Sequence, residues 1–223
     1  HNFSAGPSIL PDKVFEQASS SINNFNGKGL SILEISHRSK DFIDVLEEAR
    51  SLAIEIAGLD KNEYSCLFLQ GGASMQFLMT AYNFLNENAG YINTGSWSTK
   101  AIKEAKLFGN VTEIASSSDK NFNYIPKEIN INDSYDYVHI TSNNTIFGTQ
   151  FHSFPKTESP LIVDMSSDIF SRKIDYSQFD LIYAGAQKNL GPAGATMVLI
   201  KNSLLEKVKR DVPSMLSYKI HID

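Results

Sequence analysis

Apolar residues recur along the chain at two different spacings, and the change from one spacing to the other outlines the secondary structure. Residues 41–57 carry apolar side chains three or four positions apart, which predicts an amphipathic helix ended by Gly58. Residues 64–69 form an apolar run too short for a helix, so they predict a strand. Helical spacing returns over 74–86, after a pair of glycines. Strand, glycine turn and helix together indicate the first unit of an α/β fold.

The same order continues through the rest of the chain. A strand at 90–93 precedes a helix at about 98–108. Further short strands are predicted at 111–115, 135–142, 160–165, 179–184 and 195–201. Continuous apolar runs such as 161–163 are typical of strands buried on both faces. We therefore predict an α/β fold with one main domain, a mostly parallel sheet and helices on both faces, with the polar stretch 116–134 as a surface excursion.

Composition and charge exclude several classes of protein. The chain has 223 residues, 42% of them hydrophobic, which suffices for a buried core. Its net charge of −5 argues against a dedicated nucleic-acid binder. No apolar run approaches the roughly 20 residues of a transmembrane helix, and no signal-peptide pattern is visible. We expect a soluble, cytoplasmic protein that binds neither nucleic acid nor membranes. The single cysteine, Cys66, excludes an intrachain disulfide and a cysteine-rich zinc site, and we expect no metal.

Ligands of open α/β sheets bind beyond the carboxyl ends of the strands, so polar residues that follow predicted strands are the candidates for chemistry. Residues 71–74 (GGAS) lie between a strand and a helix, where free N–H groups and the helix dipole favour a phosphate; an ordinary tight turn would use the same residues. They match neither a P-loop nor a dinucleotide-binding pattern. Trp97, the only tryptophan, follows the next strand and is suited either to stacking on a flat ring or to filling a core gap.

A carboxylate and a lysine follow two later strands. Asp164 ends a buried strand, where a carboxylate costs free energy unless it is paired or hydrogen-bonded. It could serve as a metal ligand, as an acid or base, or as the partner of a protonated ring nitrogen, or it could form a turn with Ser166. Lys188 lies among glycines and alanines, which leave room for a planar ligand, and a secluded lysine can form an imine with an aldehyde cofactor. Pyridoxal 5′-phosphate (PLP) needs a phosphate site, a stacking ring, a carboxylate and a lysine, and the chain offers all four in combination.

Six short blocks carry a family resemblance. They are NFSAGP (2–7), EISHRSKDF (34–42), QGGASMQF (70–77), TGSWS (94–98), DMSSD (164–168) and AQKNLGPAG (186–194). With these blocks the chain resembles the phosphoserine aminotransferases, which are fold-type I PLP enzymes of the class V aminotransferase group. The blocks around His37 and Lys188 are the most specific of the six.

The resemblance implies a role for each candidate residue. Lys188 is expected to form the imine with PLP and to shuttle the proton, and Asp164 is expected to pair with the pyridine nitrogen. The other implied cofactor contacts are stacking by Trp97, phosphate binding by Ala73, Ser74 and Gln187, and a hydrogen bond from Thr145 to the phenolic oxygen.

The resemblance also implies how substrate is bound. Arg38 is expected to clamp the substrate carboxylate, a task suited to a guanidinium, with His37 beside it. Without the resemblance, Arg38 would be interpreted as a surface charge before the helix at 41–57.

The implied reaction is reversible amino transfer between L-glutamate and 3-phosphooxypyruvate, which gives 2-oxoglutarate and O-phospho-L-serine in serine biosynthesis. Many members also act in pyridoxine biosynthesis, and the family implies a homodimer. Because members continue beyond the length of this chain, residues 1–223 are expected to be the large PLP-binding domain without the small C-terminal domain.

Two alternative functions stay open. One is another class V PLP enzyme, a serine–glyoxylate transaminase or a cysteine desulfurase, for which Cys66 in a predicted buried strand is a poor nucleophile. The other is an inactive truncated fragment.

Overall fold

The structure, a computed structural model, describes residues 1–131 and 133–223. Its helices are α1 (Asp12–Asn23), α2 (Lys40–Ala57), α3 (Gly72–Phe84), α4 (Ser96–Ala105) and α5 (Tyr218–Ile222). Its strands are β1 (Tyr64–Leu69), β2 (Asn88–Asn93), β3 (Asn110–Ser116), β4 (Val138–Thr141), β5 (Asn143–Asn144), β6 (Thr149–Gln150), β7 (Leu161–Asp164), β8 (Leu181–Gly185) and β9 (Thr196–Lys201). None of the helices described is both long enough and apolar enough to span a bilayer.

Seven strands form one sheet in the order β1-β9-β8-β7-β4-β2-β3. The pairs β2–β3, β2–β4, β4–β7 and β7–β8 are parallel, whereas β9 runs antiparallel to both of its neighbours, β1 and β8. Strands β5 and β6 form a small separate hairpin directly after β4. The prediction of an α/β fold with a mostly parallel sheet is confirmed.

Both faces of the sheet are covered. Helices α3, α4 and α5 lie on one face, where Phe77 and Tyr218 belong to a buried cluster. On the other face α2 packs beside β1 through Ile54, and irregular chain covers the rest. The consecutive residues Ile162 and Val163 of β7 belong to the two opposite clusters and are both fully buried, as expected for a strand covered on both sides.

The first predicted elements match the structure closely because their end signals are local. Ser39 precedes α2 and its hydroxyl accepts a hydrogen bond from the N–H of Phe42, while Gly58 ends the helix in the left-handed conformation, with φ of 65°. The predicted strand at 64–69 has the same bounds as β1. The prediction at 111–115 corresponds to β3, which is one residue longer at each end.

The structure departs from the predicted alternation of strands and helices in the second half of the chain. Within the described residues, no α-helix separates β3 from β4, β7 from β8, or β8 from β9. The strand predicted at 135–142 is shorter and begins at Val138, because the N–H of Tyr135 bonds the Ser159 hydroxyl and Asp136 binds the backbone N–H groups of 86–88. Helix α1 was not predicted; none of its residues is buried.

The polar stretch 116–134 runs mainly over the surface, as predicted. Asn132, within this stretch, lies outside the described residues. Ile125, Ile129 and Ile131 anchor it by packing against the core cluster on the α2 face. The stretch therefore belongs to the main domain.

Candidate active site

The segments that follow the carboxyl ends of five strands meet around one cavity of about 170 Å³. These segments come after β1, β2, β4, β7 and β8, which all run in the same direction. Six residues singled out from the sequence line this cavity: Ala73, Ser74, Trp97, Asp164, Gln187 and Lys188. The sequence did not single out Thr141, Asn143 or Ser167, which also line it, although their position at strand ends is the signal that could have found them.

The turn from β1 into α3 offers unpaired N–H groups to the cavity. Gly71 and Gly72 have φ of 91° and 67°, and a Cβ on Gly71 would lie 2.5 Å from the Cβ of Met75, so this turn requires glycine. Helix α3 begins at Gly72, two residues earlier than predicted, and places Ala73 and Ser74 in its first turn. No side chain of the described residues caps this helix start. Its free N–H groups and the positive end of its dipole are suited to an anion.

Trp97 lies in the first turn of α4 and not in a loop, which corrects the prediction that this helix starts at about 98. The turn before it depends on Gly95, whose φ is 150° and whose Cβ would lie 2.2 Å from Nδ2 of Asn144. The indole is half-buried at the cavity, with its ring centroid 5.0 Å from Nζ of Lys188. A flat aromatic face therefore lies beside the lysine amine, where it can stack on a planar ligand.

Asp164 is 4% exposed and is held by Ser166. Its Oδ1 accepts hydrogen bonds from the backbone N–H and the hydroxyl of Ser166, at 2.9 and 2.7 Å. The Asx-type turn considered from the sequence is thus present, and the carboxylate lines the cavity as well. Burial raises the pKa of Asp164, whereas the hydrogen bonds of Ser166 and the positive charge of Lys188 act to lower it.

Lys188 lies on the connection between β8 and β9 and is half-buried. Its Nζ lies 3.0 Å from Oγ1 of Thr145, which brings that predicted residue to the site. Burial lowers the pKa of the Lys188 amine, and the negative charge of Asp164 opposes this. A lysine with a lowered pKa is more often neutral and therefore more nucleophilic at neutral pH.

The N-terminal segment packs against the backbone that carries Lys188. The N–H of Ser8 bonds the carbonyl oxygen of Gln187 at 2.9 Å, and the Ser8 hydroxyl bonds the carbonyl oxygen of Lys188. A Cβ on Gly6 would lie 3.0 Å from Cγ of Lys188. The block at 2–7 is therefore part of the lysine's surroundings, which spacing alone did not indicate.

His37 and Arg38 are not among the residues that line the cavity. Both are exposed, in the turn before α2, and the backbone N–H of Arg38 bonds the Ser36 hydroxyl at 3.2 Å. Their predicted role in binding substrate stays a prediction.

A larger cavity of about 700 Å³ lies away from these residues, between α2, β1 and Ile222. It contains none of the candidate cofactor residues, so we assign the chemistry to the smaller cavity at the strand ends. Cys66 lines the larger one; it is 6% exposed, and burial raises the pKa of its thiol to about 12. The prediction that Cys66 lies in a buried strand is confirmed. Its raised pKa is consistent with the prediction that it is a poor nucleophile.

Comparison with known proteins agrees with this geometry. The family model of class-V aminotransferases matches residues 1–215. The chain is 61% identical over its whole length to the phosphoserine aminotransferase of Flavobacterium johnsoniae and 55% identical to that of Bacteroides fragilis, and it spans 63% and 62% of those proteins. It therefore covers less than two thirds of the length of these relatives.

Two solved structures share the fold of nearly the whole chain. Phosphoserine aminotransferase from Bacillus circulans subsp. alkalophilus matches 99% of this chain and 62% of its own, with a TM-score of 0.94 and 46% identity. PLP-bound phosphoserine aminotransferase from Trichomonas vaginalis matches 98% and 66%, with a TM-score of 0.91 and 34% identity. Since the family model spans almost the entire sequence and the strand-end residues converge on one cavity, the chain belongs to the class-V aminotransferase family.

Proposed function

We propose that the strand-end cavity binds PLP and that the full-length protein transfers an amino group between L-glutamate and 3-phosphooxypyruvate, giving 2-oxoglutarate and O-phospho-L-serine. The observation that carries this proposal is the convergence of a half-buried lysine amine, an aromatic face, a buried carboxylate and an uncapped helix start on one cavity. The names of the relatives, all phosphoserine aminotransferases at 53–61% identity, support the choice of substrates.

The donor set of this cavity fits PLP. The start of α3 offers N–H groups to a phosphate, and Gln187 lines the same cavity. Oδ2 of Asp164 has no hydrogen-bond partner among the described residues, which leaves it available to a protonated ring nitrogen. The PLP-bound structure of the Trichomonas vaginalis relative supports this choice of cofactor.

PLP, when bound, supplies an aldehyde that reacts with amines and a ring that accepts electrons from the substrate Cα. Lys188 would hold this aldehyde through Nζ and would carry a proton to and from the substrate Cα, tasks that its lowered pKa favours. Asp164 would pair with the ring nitrogen and favour its protonated form. Trp97 would stack on the ring and exclude water from it. Thr145, 3.0 Å from Nζ, orients the amine.

The remaining parts of the proposal rest on the resemblance of the sequence blocks to the family. In the full-length enzyme, Arg38 would bind the substrate carboxylate, with His37 beside it. We also propose that the enzyme acts on a substrate of pyridoxine synthesis. In this proposal residues 1–223 form the large PLP-binding domain. We propose a cytoplasmic homodimer, for which the mass in solution of the full-length protein, by light scattering, is the test.

Borohydride reduction after incubation with PLP, followed by peptide mapping, tests the cofactor site. We expect one pyridoxyl adduct, on Lys188, which the Lys188→Arg variant lacks. Lys100 is the matched control, because its Nζ lies 4.6 Å from the same indole ring but its side chain is exposed. Equal labelling of Lys100 and Lys188, or unchanged labelling of the Lys188→Arg protein, would contradict the site.

A coupled assay of the full-length protein tests the reaction. We expect formation of 2-oxoglutarate from L-glutamate only when 3-phosphooxypyruvate is present, and a higher KM for glutamate in the Arg38→Ala variant because one carboxylate contact is lost. Amination of a different keto acid in place of 3-phosphooxypyruvate would refute the substrate assignment. Release of sulfide from L-cysteine would instead indicate a desulfurase.

A further inference from the structure

Ser166 is a buried hydroxyl that connects the ends of two neighbouring strands. It is 8% exposed and follows β7 by two residues. Its Oγ lies 2.7 Å from Oδ1 of Asp164 and 3.0 Å from the backbone nitrogen of Gly185, the last residue of β8. The same oxygen therefore contacts both the carboxylate and the strand that leads to Lys188.

The direction of these hydrogen bonds follows from the chemistry of the groups. The Gly185 N–H can only donate, so the Ser166 oxygen accepts from it, and the single hydroxyl proton of Ser166 is left for Asp164. The backbone N–H of Ser166 donates to the same Oδ1 at 2.9 Å. Because Oδ1 already accepts two hydrogen bonds, Oδ2 is the oxygen that is available to accept a hydrogen bond from a ligand.

We propose that Ser166 is a positioning residue, which holds Asp164 as a carboxylate with Oδ2 available to the PLP ring nitrogen and couples this carboxylate to the end of β8. This inference rests on the proposed function. It assigns to Ser166, which also lines the cavity, a role that is exerted through Asp164.

The surroundings of Asp164 show why such a residue is needed. Burial favours the protonated carboxyl and raises its pKa, and the negative charge of Asp168 acts in the same direction. Tyr183, paired with Asp164 in the sheet register, is fully buried and its own pKa is raised well above the usual value, so it supplies no charge. Only the hydrogen bonds of Ser166 and the charge of Lys188 favour the carboxylate. Removing the hydroxyl takes away one of the two bonds to Oδ1.

The test compares Ser166→Ala with Ser177→Ala in the full-length protein. Ser177 is a matched control, because its N–H and hydroxyl bond Oδ1 of Asp175 at 2.9 and 2.6 Å with the same two-residue spacing, but on the exposed surface. For Ser166→Ala we expect a roughly tenfold or larger rise in the Kd for PLP, the scale of one hydrogen bond to a charged group, and a shifted pH profile of the bound-cofactor absorbance. Ser177→Ala should leave both unchanged. Ser166→Cys, similar in size but a weak donor, should change both in the same direction if the alanine variant does not fold.

The outcomes separate this inference from the proposed function. If the unsubstituted protein binds PLP on Lys188 but folded Ser166→Ala has the same Kd and the same pH profile, the role of Ser166 is wrong and the proposed function stands. If only the melting temperature of Ser166→Ala falls, Ser166 is structural and the inference is overturned. If the unsubstituted protein shows no saturable binding of PLP, the proposed function fails and this inference fails with it.

Discussion

The buried histidine His139 predicts a specific loss of stability in acid. It lies in β4 at 0% exposure; Nε2 is 2.8 Å from the Tyr183 hydroxyl oxygen, and Nδ1 is buried without a partner among the described residues. Burial lowers the pKa of His139 from 6.5 to about 3. A charged imidazolium at this place would have no counter-charge in contact with it, so the folded protein keeps this ring neutral.

The sign and size of the effect follow from proton linkage. Below pH 6.5 the unfolded chain gains a proton on this histidine, and the folded chain does not until the pH approaches 3. Stability is therefore lost as the pH falls through this window, by up to about 1.4 kcal/mol per pH unit and about 2 kcal/mol in total by pH 5. Burial raises the pKa values of Asp164 and Asp168, which opposes this loss of stability as the pH falls, so the effect of His139 must be measured as a difference between variants.

Urea unfolding of the cofactor-free protein between about pH 8 and pH 5, followed by circular dichroism, measures this difference. We compare the unsubstituted protein with His139→Gln, which cannot titrate but can still bond Tyr183. On going to about pH 5, the unsubstituted protein should lose about 2 kcal/mol more than His139→Gln. His152→Gln is the control, since that histidine is exposed, and its curve should follow the unsubstituted one. Parallel curves for the unsubstituted protein and His139→Gln would refute the reasoning.

Two further predictions concern packing. Gly95→Ala should destabilise the cofactor-free protein by about 1–3 kcal/mol more than Gly148→Ala, because both positions are strained in φ but only Gly95 adds a collision, against Asn144 and Phe147. Equal losses of the two variants in urea unfolding would contradict this. Cys66 should react with a thiol reagent at about pH 8 only after urea unfolds the protein, because burial holds its pKa at about 12 in the folded state; fast labelling of the native protein would show that β1 is open.

Local signals explain which parts of the fold could be predicted from the sequence. The ends of α2 are encoded by a capping serine, Ser39, and by Gly58, and the bounds of β1 by an unbroken apolar run. Helices α3 and α4 both begin two residues before their predicted starts, because Gly71 and Gly95 take positive φ at the N-cap, two residues after a strand ends. In α3 the first residues, 72–74 (GAS), are small and add little to an apolar period.

Other features could not be predicted because they depend on tertiary contacts. The antiparallel direction of β9 is set by pairing with β1, which lies more than 120 residues earlier in the chain. Helix α1 does carry apolar residues at helical spacing, Val14, Ala18 and Ile22, but the structure buries none of them, and this helix was not predicted from the sequence. The site residues at strand ends converge because parallel strands share one edge, which the sequence did allow us to predict. His37 and Arg38 follow no strand of the sheet, so this rule does not place them.

The reversed direction of β9 keeps the whole connection around Lys188 at the carboxyl edge of the sheet. A parallel strand after β8 would require a crossover, which carries the chain over one face of the sheet to the opposite edge. Because β9 is antiparallel, the connection 186–195 stays at the carboxyl edge of β8. Lys188 lies in this connection, three residues after the end of β8, and is half-buried beneath the N-terminal segment. There its amine shares a cavity with Asp164, whose charge opposes the effect of burial on its pKa. The chemistry of this lysine therefore depends on the topology of the sheet as much as on the small residues that surround it in the sequence.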